Sequence, residues 1–347
     1  MQGDGAAGAR ANRSARTGSR VTAMATEREP RVAVVGATGA VGSQLVELLE
    51  TRAFPRGRLT LYTSADGASR TVTVEERDEE LEVEEFPGPN ELRGFDLAFL
   101  AVPERLASEI VQARPGPVLI DLSAALRRPN PEFPMVAPGL TARERLQQMR
   151  GARVFALPHP AAHALATILN ALGVESGFVG VAVMVGASAG GRDLITATVE
   201  QSAGLLSGSL DIEPDEVQRG FNVFVSESDR ETAEVFVAQA RFMMGREPKI
   251  ALQVINAPIL HGSIVAIQLA RPPESAQWRE RLRAAPGILL VEDRKPLGVI
   301  DALGQEAIVV RMDESEYGVT LFCALDNARL AALNALWIAE NLLLTAN

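Results

Sequence analysis

The sequence predicts an α/β fold in two parts: a Rossmann-type dinucleotide-binding domain and a second α+β domain with a mixed sheet. Three observations carry this expectation. The apolar run Arg31-Val-Ala-Val-Val35 leads into Gly36-Ala-Thr-Gly39-Ala-Val-Gly42, then into apolar residues three and four apart (Val41, Leu45, Leu48, Leu49). Up to about residue 155, short apolar runs alternate with helical patterns; beyond it, longer strands and helices change the texture. The chain has 347 residues, 47% of them hydrophobic, enough for two cores.

The elements follow in order. After the first strand, turn and helix, Leu59–Thr63 reads as a strand, and Thr71–Val74 with Leu81–Phe86 as a hairpin around the acidic run Glu75–Glu80. Phe95–Val102 and Val118–Asp121 read as buried strands flanking a helix over Arg105–Ala113, which implies a parallel sheet with helices on both faces. A helix over Ala161–Leu172 stops at Gly173, and a strand follows over Phe178–Ala187. Next come a helix over Leu194–Leu206, the polar connection Ser207–Gln218, the segment Phe221–Ser226 and a helix near Glu231–Met244. Strands over Ile250–Ala257, Ser263–Arg271 and Ile308–Asp313 suggest a mixed or antiparallel sheet with helices on one side. The chain closes on a helix over Asp326–Leu344, with Asp326 as N-cap and Leu330, Leu333, Trp337 and Leu343 spaced to face a core.

Composition excludes several function classes. One cysteine rules out an internal disulfide framework, cysteine-rich zinc sites and CxxC redox chemistry within the chain. The formal charge of −10 argues against nucleic acid as a partner. Residues 1–30 carry +2 and are rich in Gly, Ala, Ser and Arg, so they are expected to be a disordered extension, with an early start codon before Met24 as the alternative for residues 1–23. The longest apolar stretch, Phe178–Gly190, is too short and too rich in small residues to span a membrane. A soluble cytoplasmic protein is expected.

The turn Gly36-x-x-Gly39-x-x-Gly42 follows a strand and opens a helix, the context a dinucleotide site needs. Gly36 permits a tight turn, Gly39 lets the backbone approach a pyrophosphate, and Thr38, Ala40, Val41 and Gly42 present backbone at the helix start. The second strand ends in Ser64-Ala-Asp66. A carboxylate there suits a ribose hydroxyl and leans the choice to NAD, with NADP left open by Arg70 nearby.

At this point the sequence resembles the aspartate-semialdehyde dehydrogenase family along residues 31–345. Arg31–Gly42 resembles its opening strand and GATGxVG turn, and Asp121–Arg127 its DNSSAFR segment. Val185–Gly191 occupies the place of its cofactor-touching Ser-Gly loop, which makes Ser188 a candidate contact. Phe221-Asn-Val resembles its FNV segment, and Asp326-Asn327 with Asn334-Ala and Ile338-Ala-Glu340 its last helix, which adds Asn327. The resemblance implies a dinucleotide-binding domain of residues 31–157 with 326–347, a catalytic-type and dimerisation domain of 158–325, and a homodimer.

The family's chemistry is thiol-based. A cysteine thiolate attacks the semialdehyde, the hemithioacetal gives hydride to NADP, and phosphate resolves the thioester. The nucleophile sits in an Asn-Cys-Ser/Thr segment at a helix N-terminus. The matching positions here are His159 and Pro160, and Pro160 stands where the cysteine should be. The lone Cys323 lies in a core-like strand. The family's acid/base histidine aligns with Ser263, and its Glu-x-x-Lys pair with Gln239 and Phe242. Arg127 is retained at the position of a phosphate-binding arginine and is the candidate anion contact.

His261 falls two residues before Ser263, so in a strand it would keep the same face. His159, His163 and His261 thus all fall in the two segments that meet at the family's active site. They could form a residual cluster for an anion or a metal; the plain alternative is two surface or capping histidines and one strand histidine. No metal site is assigned. Ser123 and Ser188 lack a sequence-evident base and read as loop serines rather than nucleophiles. The leading reading is a relative without the catalytic cysteine that keeps the fold and the cofactor cleft, lacks the thiol reaction and serves in binding a small molecule or another protein. The alternative is an oxidoreductase acting on an aldehyde or oxo group with NAD(P) and no cysteine nucleophile.

Overall fold

The computed structural model describes residues 29–64, 71–74, 79–209, 212–213, 216–270, 273–292 and 295–343. The first sheet contains β1 (Arg31–Val35), β2 (Arg58–Thr63), β3 (Thr71–Val74), β4 (Glu79–Glu85), β5 (Leu97–Leu100), β6 (Val118–Asp121) and β7 (Val154–Ala156). Its strand order is β3-β4-β2-β1-β5-β6-β7. All neighbours run parallel except β3, which pairs antiparallel with β4. The expected hairpin is therefore present, and its second strand also joins the main sheet.

Strand β1 shows why this sheet is covered on both faces. Val32 and Val34 belong to one core and Ala33 and Val35 to another, as successive side chains on a strand point to opposite faces. Helix α1 (Ala40–Thr51) packs on the first face, α2 (Glu104–Ala113) on the second, and short α3 (Arg143–Gln148) sends Leu146 into the first. Strand β1 lies between β2 and β5, so the order reverses beside it, the point where open α/β sheets bind ligands at the carboxyl ends of their strands.

The second part contains α4 (Pro160–Leu172), β8 (Phe178–Val185), α5 (Arg192–Ser207), α6 (Ser228–Met244), β9 (Lys249–Asn256), β10 (Ser263–Leu269), α7 (Trp278–Ala284), β11 (Ile288–Leu290), β12 (Ile308–Glu314) and β13 (Val319–Leu325). Its sheet runs β11-β12-β13-β10-β8-β9 and is mixed, with β8–β9 and β11–β12 parallel and the other pairs antiparallel. Val179, Val181 and Val183 of β8, Val265 and Ile267 of β10 and Leu321 and Cys323 of β13 share one core with α4, α6 and α7.

Helix α8 (Asn327–Leu343) returns to the first sheet. Asp326 caps it, its carboxylate accepting from the Arg329 peptide N–H at 3.0 Å. Ala332, Ala335, Leu336, Ile338 and Ala339 pack into the first sheet's core, Leu330 joins the second core, and Leu333 touches both. Trp337 packs partly buried on the first core, while the Leu343 side chain lies outside the described residues. An ion-pair chain fixes the same junction: Arg52 meets Glu306 at 2.5 Å, and Arg329 meets Glu47 at 3.0 Å and Glu306 at 3.6 Å.

Several sequence expectations need correction. Strands β5, β8 and β10 are shorter than anticipated, and α3, β7, α7 and β11 were not anticipated at all. His261 lies in the turn between β9 and β10 and not in a strand. Residues 1–28, Asp66, Arg70, residues 75–78 of the acidic run, residues 210, 211, 214 and 215 of the polar connection, Arg271 and Leu344 lie outside the described residues.

The glycine turn gives a stability test. Gly36 has φ +92°, and a Cβ there would lie 2.2 Å from the Ala101 carbonyl oxygen. Gly36→Ala is expected to destabilise the chain by at least ~2 kcal/mol in urea unfolding, and an unchanged midpoint would contradict this packing.

Candidate functional site

The cofactor side of the cleft is built on the β1–α1 turn. The peptide N–H groups of Gly36 and Ala37 both donate to the Tyr62 carbonyl at the end of β2, at 2.8 and 2.9 Å. Gly39 is the N-cap of α1 and has no side-chain cap. The first-turn N–H groups of Ala40, Val41 and Gly42 have no intrahelical acceptor and face the turn as an anion-binding end. Gly42 packs against the turn, since a Cβ there would lie 2.0 Å from the Gly36 carbonyl oxygen. Gly39 is different: its nearest neighbour would be the Gly36 carbonyl oxygen at 3.3 Å, so its outer side is open. This turn fits a dinucleotide phosphate. Thr38 Oγ1 lies 2.6 Å from Thr63 Oγ1, and the Thr38 carbonyl accepts from the Arg192 guanidinium. Ser64 is exposed just beyond β2.

Ser188 and Asn327 meet in the interior. Ser188 Oγ donates to Asn327 Oδ1 at 3.2 Å, and the same oxygen accepts from the Gly262 peptide N–H at 2.9 Å. Both side chains are buried, so they join the loop after β8, the turn before β10 and the start of α8. Ser123 also serves its own backbone, its Oγ accepting from the Ala125 N–H at 3.0 Å.

The start of α4 is where the family places its nucleophile. Pro160 occupies the first helical position, where a missing N–H costs nothing. His159 is the N-cap, with Nδ1 accepting from the Ala161 N–H at 3.2 Å. Its ring stacks on Phe236 with centroids 4.2 Å apart. Burial, with the Arg127 charge adding to it, pulls the His159 pKa down to about 3. The ring is therefore neutral, and its proton sits on Nε2.

Gln239, fully buried on α6, ties this corner together. Its Oε1 accepts from the His159 peptide N–H at 2.9 Å, and its Nε2 donates to the Arg127 carbonyl at 2.7 Å. The Arg127 side chain remains exposed beside the site. The sequence placed Gln239 at a family site position but gave no sign of this clamp. The available hint was that Phe236 and Gln239 lie three apart on one helix and so share a face.

The three histidines do not form a metal centre. His163 is buried one turn into α4, where Nε2–H donates to the Pro138 carbonyl at 3.4 Å and burial lowers its pKa to about 4. His261 is exposed in its turn, so the expected strand face is absent. Among the described residues, no group of three His, Cys, Asp or Glu is placed to hold a metal ion.

The remaining polar groups are buried and quiet. Ser263 opens β10 fully buried, and its Oγ has no hydrogen-bond partner among the described residues. Asp121 ends β6; its Oδ1 accepts from the Ser123 N–H at 2.9 Å, Oδ2 has no partner among the described residues, and burial pushes the carboxyl's pKa up. Cys323 is fully buried in β13 between β10 and β12, and burial pushes its thiol far above the usual range.

A parallel sheet with an open glycine turn, joined to a mixed sheet through a shared last helix, defines a dinucleotide-binding protein of the semialdehyde dehydrogenase class. Residues 31–149 match the family described as semialdehyde dehydrogenase, NAD binding domain. The aspartate-semialdehyde dehydrogenase of Shewanella violacea is 30% identical over 341 residues, covering 91% of this chain and 98% of that protein. The USG-1 protein homolog of Azotobacter vinelandii is 31% identical over 332 residues, covering 90% and 97%. A solved structure of a probable aspartate-semialdehyde dehydrogenase from Pseudomonas aeruginosa superposes with TM-score 0.80 at 29% identity, covering 92% and 99%. This chain belongs to the aspartate-semialdehyde dehydrogenase family, and its first part is that family's NAD-binding domain. Among the described residues no helix is long and apolar enough to cross a membrane.

The neutral histidines give a pH test. Each has an ordinary pKa of 6.5, lowered to about 3 for His159 and about 4 for His163 in the folded chain. Below pH 6.5 the unfolded chain binds protons that the folded chain does not, so this contribution to stability falls as pH falls. The slope reaches about 1.4 kcal/mol per pH unit for each histidine. Asp121 and Glu340, both raised by burial, work in the opposite sense. The measurement is therefore the difference between wild type and His163→Gln in urea unfolding from pH 6.5 to 5. The variant should have lost part of the wild-type fall; parallel curves would contradict a buried neutral His163.

Proposed function

We propose that this chain is a nicotinamide dinucleotide-binding member of the family in which the thiol-dependent dehydrogenase step has been lost. One observation carries the reading: the helix start that would present a thiol begins with Pro160, while the only cysteine is sealed inside β13. A proline ring has no ionisable group and cannot attack a carbonyl. Cys323 is kept protonated by burial and packed by neighbouring strands, so it cannot substitute.

The other groups support binding over turnover. The β1–α1 turn would hold the dinucleotide through the backbone of Gly39, Ala40, Val41 and Gly42, with the exposed Arg127 side chain near the start of α4 offering an anion contact. A bound nicotinamide cofactor, NAD or NADP, would supply hydride chemistry to any carbonyl presented to it. Acid/base help from the histidines is poorly provided for. His159 Nδ1 is committed to capping α4, His163 Nε2–H to the Pro138 carbonyl, and His261 stands exposed in its turn. We place the protein in the cytoplasm as a homodimer that binds a small anionic molecule or a partner protein.

The test is direct. Purified protein is incubated with aspartate semialdehyde, phosphate and NADP or NAD, and reduced nicotinamide is followed by absorbance. No turnover is expected, and turnover at ordinary enzyme rates would overturn the loss of chemistry. Titration with NADH and NADPH is expected to show binding; none at millimolar cofactor would overturn the binding role.

A further inference from the structure

We infer that Arg192 is a phosphate clamp for the dinucleotide, a guanidinium delivered from the second part of the chain onto the glycine turn of the first. The inference rests on the cofactor-binding reading above and assigns a residue to it.

Arg192 is the first residue of α5, directly after Gly191 at φ +87°. Its side chain is exposed, yet it crosses 154 positions of sequence to donate to the Thr38 carbonyl. Thr38 is itself held, its hydroxyl bonded to Thr63 at the end of β2. The charge therefore sits on a fixed point of the turn, between Gly36 and Gly39.

Arg192, like Arg246 and Arg281, is held by a peptide carbonyl rather than by a carboxylate. Arg52, Arg128, Arg283 and Arg329 all pair with carboxylates. Among the described residues Arg192 pairs with none. It also stands at the positive end of a sixteen-residue helix, where a cation opposes the helix dipole. A neutral peptide carbonyl engages only part of a five-donor fork and leaves the remaining donors available. The first-turn N–H groups of α1 present partial positive charge to the same turn. These two positive sources converge on one turn and fit a pyrophosphate, and a guanidinium is suited to bind it through paired N–H donors.

The test compares wild type, Arg192→Gln and Arg192→Lys by fluorescence titration with NADH and NADPH at low and high salt. Thermal unfolding of each ligand-free protein is recorded alongside. Arg192→Gln is expected to weaken both cofactors alike by about tenfold and to flatten the salt dependence, with partial recovery in Arg192→Lys and an unchanged ligand-free midpoint. Binding within about twofold of wild type for Arg192→Gln would overturn the clamp. So would a loss confined to NADPH, because the charge would then meet a 2′-phosphate, or a lowered ligand-free midpoint with the salt dependence intact, because the arginine would then only hold the turn. Failure of wild type to bind either cofactor would overturn the underlying cofactor reading, and the clamp with it.

Discussion

Asn327 is the joint on which the site depends. Its buried Oδ1 accepts from Ser188 and from the Gly262 peptide, so one oxygen fixes the loop after β8, the turn before β10 and the first residue of α8. Helix α8 then runs from this point into the core of the other sheet, where Ala335 and Leu336 are fully buried. A buried acceptor shared by two donors cannot be removed without orphaning both, at a cost of about 1–3 kcal/mol for each group left unpaired. The two sheets are thus held in register by a hydrogen-bonded corner and by the Arg52–Glu306–Arg329–Glu47 chain around it.

Beside that corner, the start of α4 keeps the architecture of a nucleophile site without a nucleophile. Its helix end is capped by an imidazole, its first position is a proline, and a buried carboxamide clamps the adjoining backbone to the Arg127 peptide. Each of these choices is stable on its own terms. Proline fits the first helical position, and Gln239 satisfies a donor and an acceptor at once. The result is a corner in which His159 Nδ1 and the Gln239 carboxamide serve backbone, with the Arg127 side chain exposed beside it.

Local features of this fold were legible in the sequence. The strand, glycine turn and helix at Arg31–Thr51 could be read because the apolar run, the glycines and the helical spacing lie within one short stretch. Helix α8 could be read from its period and from Asp326 before it. The elements that were missed are short or charged: β7 and β11 have three residues each, and α3 is Arg-Glu-Arg-Leu-Gln-Gln. Periodicity has nothing to act on there. His261 was misplaced because the two-residue argument assumes a strand, whereas Gly262 at φ +84° turns the chain. In the site, Pro160 at a helix start was readable locally. The Gln239 clamp, the Phe236 stack and the Arg192 contact join residues 77 to 154 positions apart, and only the folded chain brings them together.

The most direct measurement is intact-mass spectrometry of the native protein after incubation with aspartate semialdehyde and NADP in the absence of phosphate. In a thiol-dependent dehydrogenase, hydride passes from the hemithioacetal to NADP, and without phosphate the acyl group stays on the cysteine. Here the expected mass is that of the unmodified chain, with the Cys323 thiol still free when the protein is then unfolded and alkylated. An acyl adduct at any residue, reversed by adding phosphate, would contradict the loss of nucleophilic chemistry.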